Sequence, residues 1–167
     1  MPTAVMPLST LSSRLTEVRH TRAAANCPYD CTSGLRLDAQ FVAMLSAYRG
    51  SGGLARAQEV LALFNRCGGP SMTTLARWIA EREVICFAWQ SQPWLPVFQF
   101  DRVHLEPDAN LRPIYSELTC VYDQWEMGAW FARPNPWLEN RTPVDTLFLD
   151  LPAVVSAARA DRFTCRG

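Results

Sequence analysis

The chain contains no lysine: its 16 cationic side chains are all arginine, and 16 acidic ones balance them to a formal net charge of zero. Without lysine the phosphate-cradling pattern G-x-x-x-x-G-K-[ST] has no match, and Gly50, Gly52 and Gly53 do not supply its glycine spacing. A balanced charge disfavours a strongly electrostatic nucleic-acid binder, because affinity for the phosphate backbone comes from clustered cations. The gradient along the chain is weak: residues 1–52 carry five Arg and three acids, residues 53–101 four of each, and residues 102–167 seven Arg against nine acids. Histidine is equally scarce. His20 and His104 stand apart, and neither has neighbours that suggest a catalytic triad or a metal site. Cys27 and Cys31 could supply half a zinc site, but no second pair follows at finger spacing. Neither catalysis nor a metal or cofactor is expected.

Long apolar runs are also missing. Nothing approaches the roughly 18 residues that cross a bilayer, and the opening residues lack a basic stretch followed by an apolar one. These features point to a cytoplasmic protein with no membrane partner. In that reducing compartment the six cysteines (Cys27, Cys31, Cys67, Cys86, Cys120 and Cys165) are read as small buried hydrophobes rather than as a disulfide framework. The sequon Asn140-Arg141-Thr142 is then a chance match.

What is present is the composition of a folded chain: 167 residues, 49% hydrophobic and 19% charged. That length suits one domain or two small ones sharing a core, burying roughly 70% of the surface of the unfolded chain. Three segments emerge. Residues 1–36 are poorly patterned, apart from a short helix expected around Leu11, Leu15 and Val18. Residues 37–101 hold a helix with Leu37, Phe41, Leu45 and Tyr48 on one stripe, then a second with Ala57, Val60, Leu61 and Phe64, stopped by Gly68-Gly69-Pro70. Ser71 is placed to cap a third helix through about Arg82. The period then changes to two, which predicts a two-stranded hairpin from about Val84–Trp89 and Leu95–Phe100, with Pro93 and Pro96 marking an edge ribbon.

Residues 102–167 return to helical spacing. Leu111, Tyr115, Leu118 and Tyr122 form a stripe with Asn110 as its expected cap and Pro113 in the first turn. Asp123 starts the next helix, and Pro134 stops it. Thr142-Pro143-Val144-Asp145 has the chemistry of a helix start, and Asp150-Leu151-Pro152 opens a last helix through about Arg162. The expected fold is mainly α (α+β): a helix-turn-helix-like pair, one two-stranded hairpin and a C-terminal helical unit.

Two surfaces attract attention. With Leu75, Trp78 and Ile79 directed inward, the far side of the third helix carries Thr73 and Arg77, and Thr74 stands near its start. In a DNA reader the threonines would meet phosphate or base edges and Arg77 a guanine, with the hairpin as a wing. Asn65, Glu81 and Glu83 argue against that use, and helix pairs joined by Gly turns are also plain packing units. The second surface is the loop from Pro134 to Asp145. Its prolines and Asn135 fix the turns, while Trp137 and Leu138 lie beside Arg141, a composition typical of interface hot spots. The competing reading has Trp137 and Leu138 only pinning the loop to the core.

Residues 130–162 resemble the toxin-binding domain of the Xre/MbcA/ParS antitoxin family, through Trp130, Pro134, Asn135, Leu138, Thr142, Pro143, Asp145 and Leu147. Leu75-Ala-Arg-Trp-Ile79 and Pro96-Val-Phe-Gln-Phe-Asp101 are similar to the helix and hairpin preceding that domain, so the resemblance spans roughly residues 54–162. Glu139-Asn140-Arg141 stands where the family has a Gly-rich loop, and Phe148 where it has a second Leu. The resemblance implies a non-catalytic protein that binds and sterically inhibits a RES-domain toxin, an NAD-consuming enzyme. Pro134, Asn135, Trp137, Leu138, Arg141, Thr142, Pro143 and Asp145 would form the toxin-binding loop. It further implies that the helix-turn-helix portion binds operator DNA to regulate its own operon. The alternative is a DNA-binding regulator whose C-terminal part makes it a homodimer.

Overall fold

The computed structural model describes residues 31–166. The expected helix around Leu11, Leu15 and Val18, together with His20 and Cys27, lies outside the described residues. Among the described residues, seven α-helices and a three-stranded antiparallel sheet make up the fold. Helix α1 spans Cys31–Ala47, so helix is already present before Leu37, where the apolar pattern begins. Its core face is Phe41 and Met44, continued by Tyr48 just past its end, and Leu45 points outward, 39% exposed. Met44 and Leu45 are adjacent apolar residues, and packing chose the first for the inside.

A 3-10 turn (Tyr48–Ser51) leads to strand β1, Leu54–Arg56, which sequence spacing did not predict. Helix α2 follows at Ala57–Cys67 and buries Val60 and Phe64 as expected. Gly68 ends it at φ 68°, a left-handed conformation that glycine adopts without a Cβ clash. Helix α3, Met72–Ala80, is capped by the Ser71 hydroxyl, which accepts from the Thr74 amide at 3.3 Å.

The hairpin is shorter than its spacing suggests. Strand β2 is Phe87–Trp89 and β3 is Gln92–Pro96, while Val97–Gln99 tightens into a 3-10 turn. The expected two-stranded edge ribbon is therefore corrected: β3 lies at the centre, in the order β1-β3-β2. Its register sets Leu54 opposite Pro96 and Arg56 opposite Trp94 on one side, and Phe87 opposite Trp94 on the other. Pro93 and Pro96 are tolerated because they fall near the ends of a five-residue strand, where few ladder donors are lost. Beyond Pro96 the Val97 amide donates to the Gly53 carbonyl at 3.0 Å and carries the pairing one step further.

Helix α4, Arg112–Leu118, is entered from a 3-10 turn (Ala109–Leu111) that Asp108 caps by accepting from the Asn110 amide, so Asn110 sits inside that turn rather than capping the helix. Tyr122 lies past the end of this helix. Helix α5, Gln124–Ala132, opens with a reciprocal box: the Glu126 amide donates to Asp123 Oδ1 and the Asp123 amide to Glu126 Oε2, each at 2.8 Å. A short helix α6, Pro143–Leu147, and a long one α7, Leu151–Arg166, follow.

The larger core joins Phe41, Met44, Tyr48, Phe87 and Phe98 to Ile114, Leu118, Met127, Phe131 and Val154, so packing runs across residues 101 and 102. A smaller cluster of Phe64, Leu75, Trp78, Leu95 and Phe100 underlies α2, α3 and the sheet. Each fully buried Leu or Phe contributes about 1.5–3 kcal/mol of transfer free energy. Of the cysteines, only Cys86 fits the buried reading among those whose side chains are described. Burial pushes its thiol up to about 12, which keeps it protonated and unreactive. Cys67, Cys120 and Cys165 are exposed thiols. Among the described residues, no helix is long and apolar enough to cross a membrane.

Candidate functional site

The loop between α5 and α6 is built around Asn135. Its amide donates to the Arg141 carbonyl at 3.0 Å, and its own carbonyl accepts from Leu138 and Asn140, each at 3.0 Å. Its side-chain Oδ1 caps the next 3-10 turn by accepting from the Trp137 amide at 2.9 Å. Asn135 is buried, and every one of these bonds closes the loop on itself. Glu139 and Asn140 take φ 56° and 61°, two successive left-handed residues where the chain has no glycine. An L side chain costs roughly 1–2 kcal/mol in that region, less for Asn. The Asn135 network holds them there.

The second half of the loop is a helix start. Thr142 Oγ1 accepts from the Asp145 amide at 3.2 Å and donates to the Asp145 carboxylate, and Pro143 occupies the first helical position, buried. Thr142, Pro143 and Asp145 are thus spent on local geometry. Leu138 is 2% exposed and belongs to the core with Val144 and Leu147, so it anchors the loop inward and offers no surface to a partner. Trp137 does the reverse: it is 61% exposed. The two readings of the Trp137-Leu138 pair therefore divide, one residue to each. Pro134 and Arg141 are exposed as well. Among the described residues Arg141 pairs with Glu139 alone, at 3.5 Å between two solvated side chains, a bond worth little in water. Its guanidinium is available to a stronger acceptor.

Sequence spacing missed the residue that organises this surface. Asp161, on α7, accepts from Trp130 Nε1 at 2.6 Å and Asn135 Nδ2 at 2.9 Å through one oxygen, and from Trp137 Nε1 at 3.2 Å through the other. Nothing in the local pattern pairs Asp161 with residues 24 to 31 positions earlier. The exposed apolar residues Phe148 and Leu149, at the junction of α6 and α7, were likewise not selected. Further along α7, that helix is tied to α4 by Glu117, whose carboxylate accepts from Arg162 at 2.6 Å and Arg159 at 3.3 Å.

On α3 the helical phase is as expected: Leu75 and Trp78 are buried, while Thr73 and Arg77 are exposed. Arg77 makes no ion pair among the described residues. Thr74 is half-buried, with its hydroxyl 3.0 Å from that of Ser71, and serves the cap. The inner side of α3 (Met72, Leu75, Ile79) lines a cleft of about 130 Å³ with Ala57 and Leu61 of α2 and Pro93 of the hairpin.

His104 stands on an exposed turn, its Nδ1 3.4 Å from Asp101. Asp101 accepts from the His104 and Val103 amides at 2.7 and 2.6 Å, bonds that hold its carboxyl below the usual range. This geometry turns the chain. Comparison with known proteins adds no relative: no protein-family model, no curated protein and no solved structure matches this chain.

Proposed function

We propose that this chain is a non-catalytic, antitoxin-like binding protein of the cytoplasm that sterically inhibits a RES-domain toxin. The observation that carries the reading is Trp137, a large indole left 61% exposed on a loop stapled from every side. Exposing a tryptophan forgoes its burial energy, and a rigid aromatic loses little entropy on docking, which is how interface anchors work. Arg141, paired with a solvated Glu139, adds a cation to the same loop. The fitting partner surface has an apolar socket and a carboxylate. The chemistry belongs to the toxin, and this chain acts by covering its NAD-binding cleft.

The test is co-expression with a candidate RES-domain toxin, comparing wild type with Trp137→Ala and Arg141→Ala, each checked for folding by circular dichroism. Loss of an anchor costs at least about 2 kcal/mol, about thirtyfold in affinity. Folded variants that bind and protect as well as wild type refute the reading.

A second reading, a DNA-binding regulator dimerised through its C-terminal part, is supported by exposed Thr73 and Arg77 on one side of α3. Arg77→Ala would then weaken operator binding by about 1–3 kcal/mol. Absence of salt-sensitive DNA association at low ionic strength refutes it.

A further inference from the structure

Three N–H donors from one short stretch of chain converge on a single carboxylate of α7. Trp130 and Asn135, both buried, hold Asp161 Oδ2 at 2.6 and 2.9 Å. These two bonds fix the carboxylate plane and so fix where Oδ1 points. Oδ1 accepts the one donor at the surface, the indole N–H of Trp137, at 3.2 Å. The side chain of Trp137 has two rotatable torsions, and an exposed ring is ordinarily free to sample several rotamers. Here its polar edge is tied down, so the surface left to solvent is the apolar remainder of the ring.

We infer that Asp161 is the positioning residue of the partner-binding loop: it orients the Trp137 indole and takes up its N–H, so the partner recognises the ring through an apolar socket with no acceptor for that N–H. This rests on the toxin-binding reading, which places Trp137 at the interface. An indole oriented before docking spares the ordering cost that a mobile side chain meets on binding. Asp161 itself touches no partner.

The experiment has two arms. In the first, indole ¹⁵N–¹H resonances are recorded for the protein labelled in all its tryptophans, with Trp130→Phe and Trp137→Phe assigning the two relevant signals. Asp161→Asn is expected to move the Trp130 and Trp137 signals and leave the remaining indoles in place. A Trp137 signal that stays put overturns the inference, whatever the partner does.

The second arm measures affinity for the purified RES-domain toxin used in the co-expression test. Asp161→Asn is expected to weaken binding about tenfold when residue 137 is Trp, and less than about threefold in the Trp137→Phe background, because the tether is already gone. Equal losses in the two backgrounds overturn the inference, since Asp161 would then act only through Trp130 and Asn135 on the fold. Wild-type binding by a folded Trp137→Ala variant overturns the toxin-binding reading and the socket with it, while the indole signals still decide whether Asp161 orients Trp137.

Discussion

Tyr48 donates its phenolic hydrogen to the carbonyl of Gly128 at 2.6 Å, joining the turn after α1 to the middle of α5 across 80 residues of sequence. Both residues are buried, and burial pushes the Tyr48 hydroxyl well above its ordinary range, so it remains a donor at any working pH. Gly128 also admits a second close neighbour, because position 128 has no side chain. A Cβ there would lie 2.9 Å from Cε1 of Phe87, on β2. One glycine therefore lets a helix meet a strand closely.

Gly128→Ala is expected to destabilise the protein by about 1 kcal/mol net, an overpacking cost of about 1–3 kcal/mol offset by the roughly 1 kcal/mol that alanine returns in helix propensity. Phe87 cannot yield easily, because its ring is buried edge-on against Trp125. Chemical denaturation measures the difference, and an equal or raised midpoint would show that the Phe87 ring relaxes.

Gln99 is fully buried and answers both backbone groups of Ile85: Oε1 accepts from its amide at 2.6 Å and Nε2 donates to its carbonyl at 3.0 Å, with the Tyr115 hydroxyl donating to Oε1 at 3.1 Å. Gln99→Leu preserves volume and leaves those buried groups unpaired. A loss of about 2–4 kcal/mol in unfolding free energy is expected. A loss near zero would mean that water enters and replaces the amide.

Glu117 is held below the usual carboxylate range by the hydrogen bond from Arg162 first and then by that from Arg159. A carboxylate with a lowered folded-state pKa adds stability above its unfolded value, about 4.3, and loses it as pH falls through the lower folded value. Between about pH 5 and pH 3 the melting temperature of wild type should fall more steeply than that of Glu117→Gln. Parallel pH profiles would show that the bridge between α4 and α7 contributes nothing.

Glu139 adopts φ 56° with its side chain in solvent. Glu139→Gly removes the left-handed penalty and adds unfolded-state entropy, terms of roughly 1–2 and 0.5–1 kcal/mol, so a small net gain of about 0.5 kcal/mol is expected. A fall in thermal stability would indicate that Glu139 contributes more through Arg141 than solvent exposure suggests.

Local chemistry was readable from sequence wherever it acts over three or four residues. Ser71, Asp123 and Thr142 cap the helices they were expected to start, Gly68 ends α2, and Leu75 and Trp78 turn inward, because a cap or a helical stripe involves only near neighbours in the chain. Phe98-Gln99-Phe100 stood out as a motif, but the reason for its glutamine, the backbone of Ile85, is a partner 14 residues away. Strand β1 escaped notice because three residues are too few to establish a period, and it exists through pairing with β3 some 40 positions later. The loop at Pro134 to Asp145 was visible as rigid and aromatic. Its division into a buried Leu138 and an outward Trp137, and the convergence of two indoles and an amide on Asp161, came only with the tertiary structure. Those contacts arise where α7 packs against the 3-10 turn at Pro136–Leu138, with Trp130 of α5 reaching the same carboxylate, and spacing along a chain carries no trace of which distant side chain will lie across such an interface.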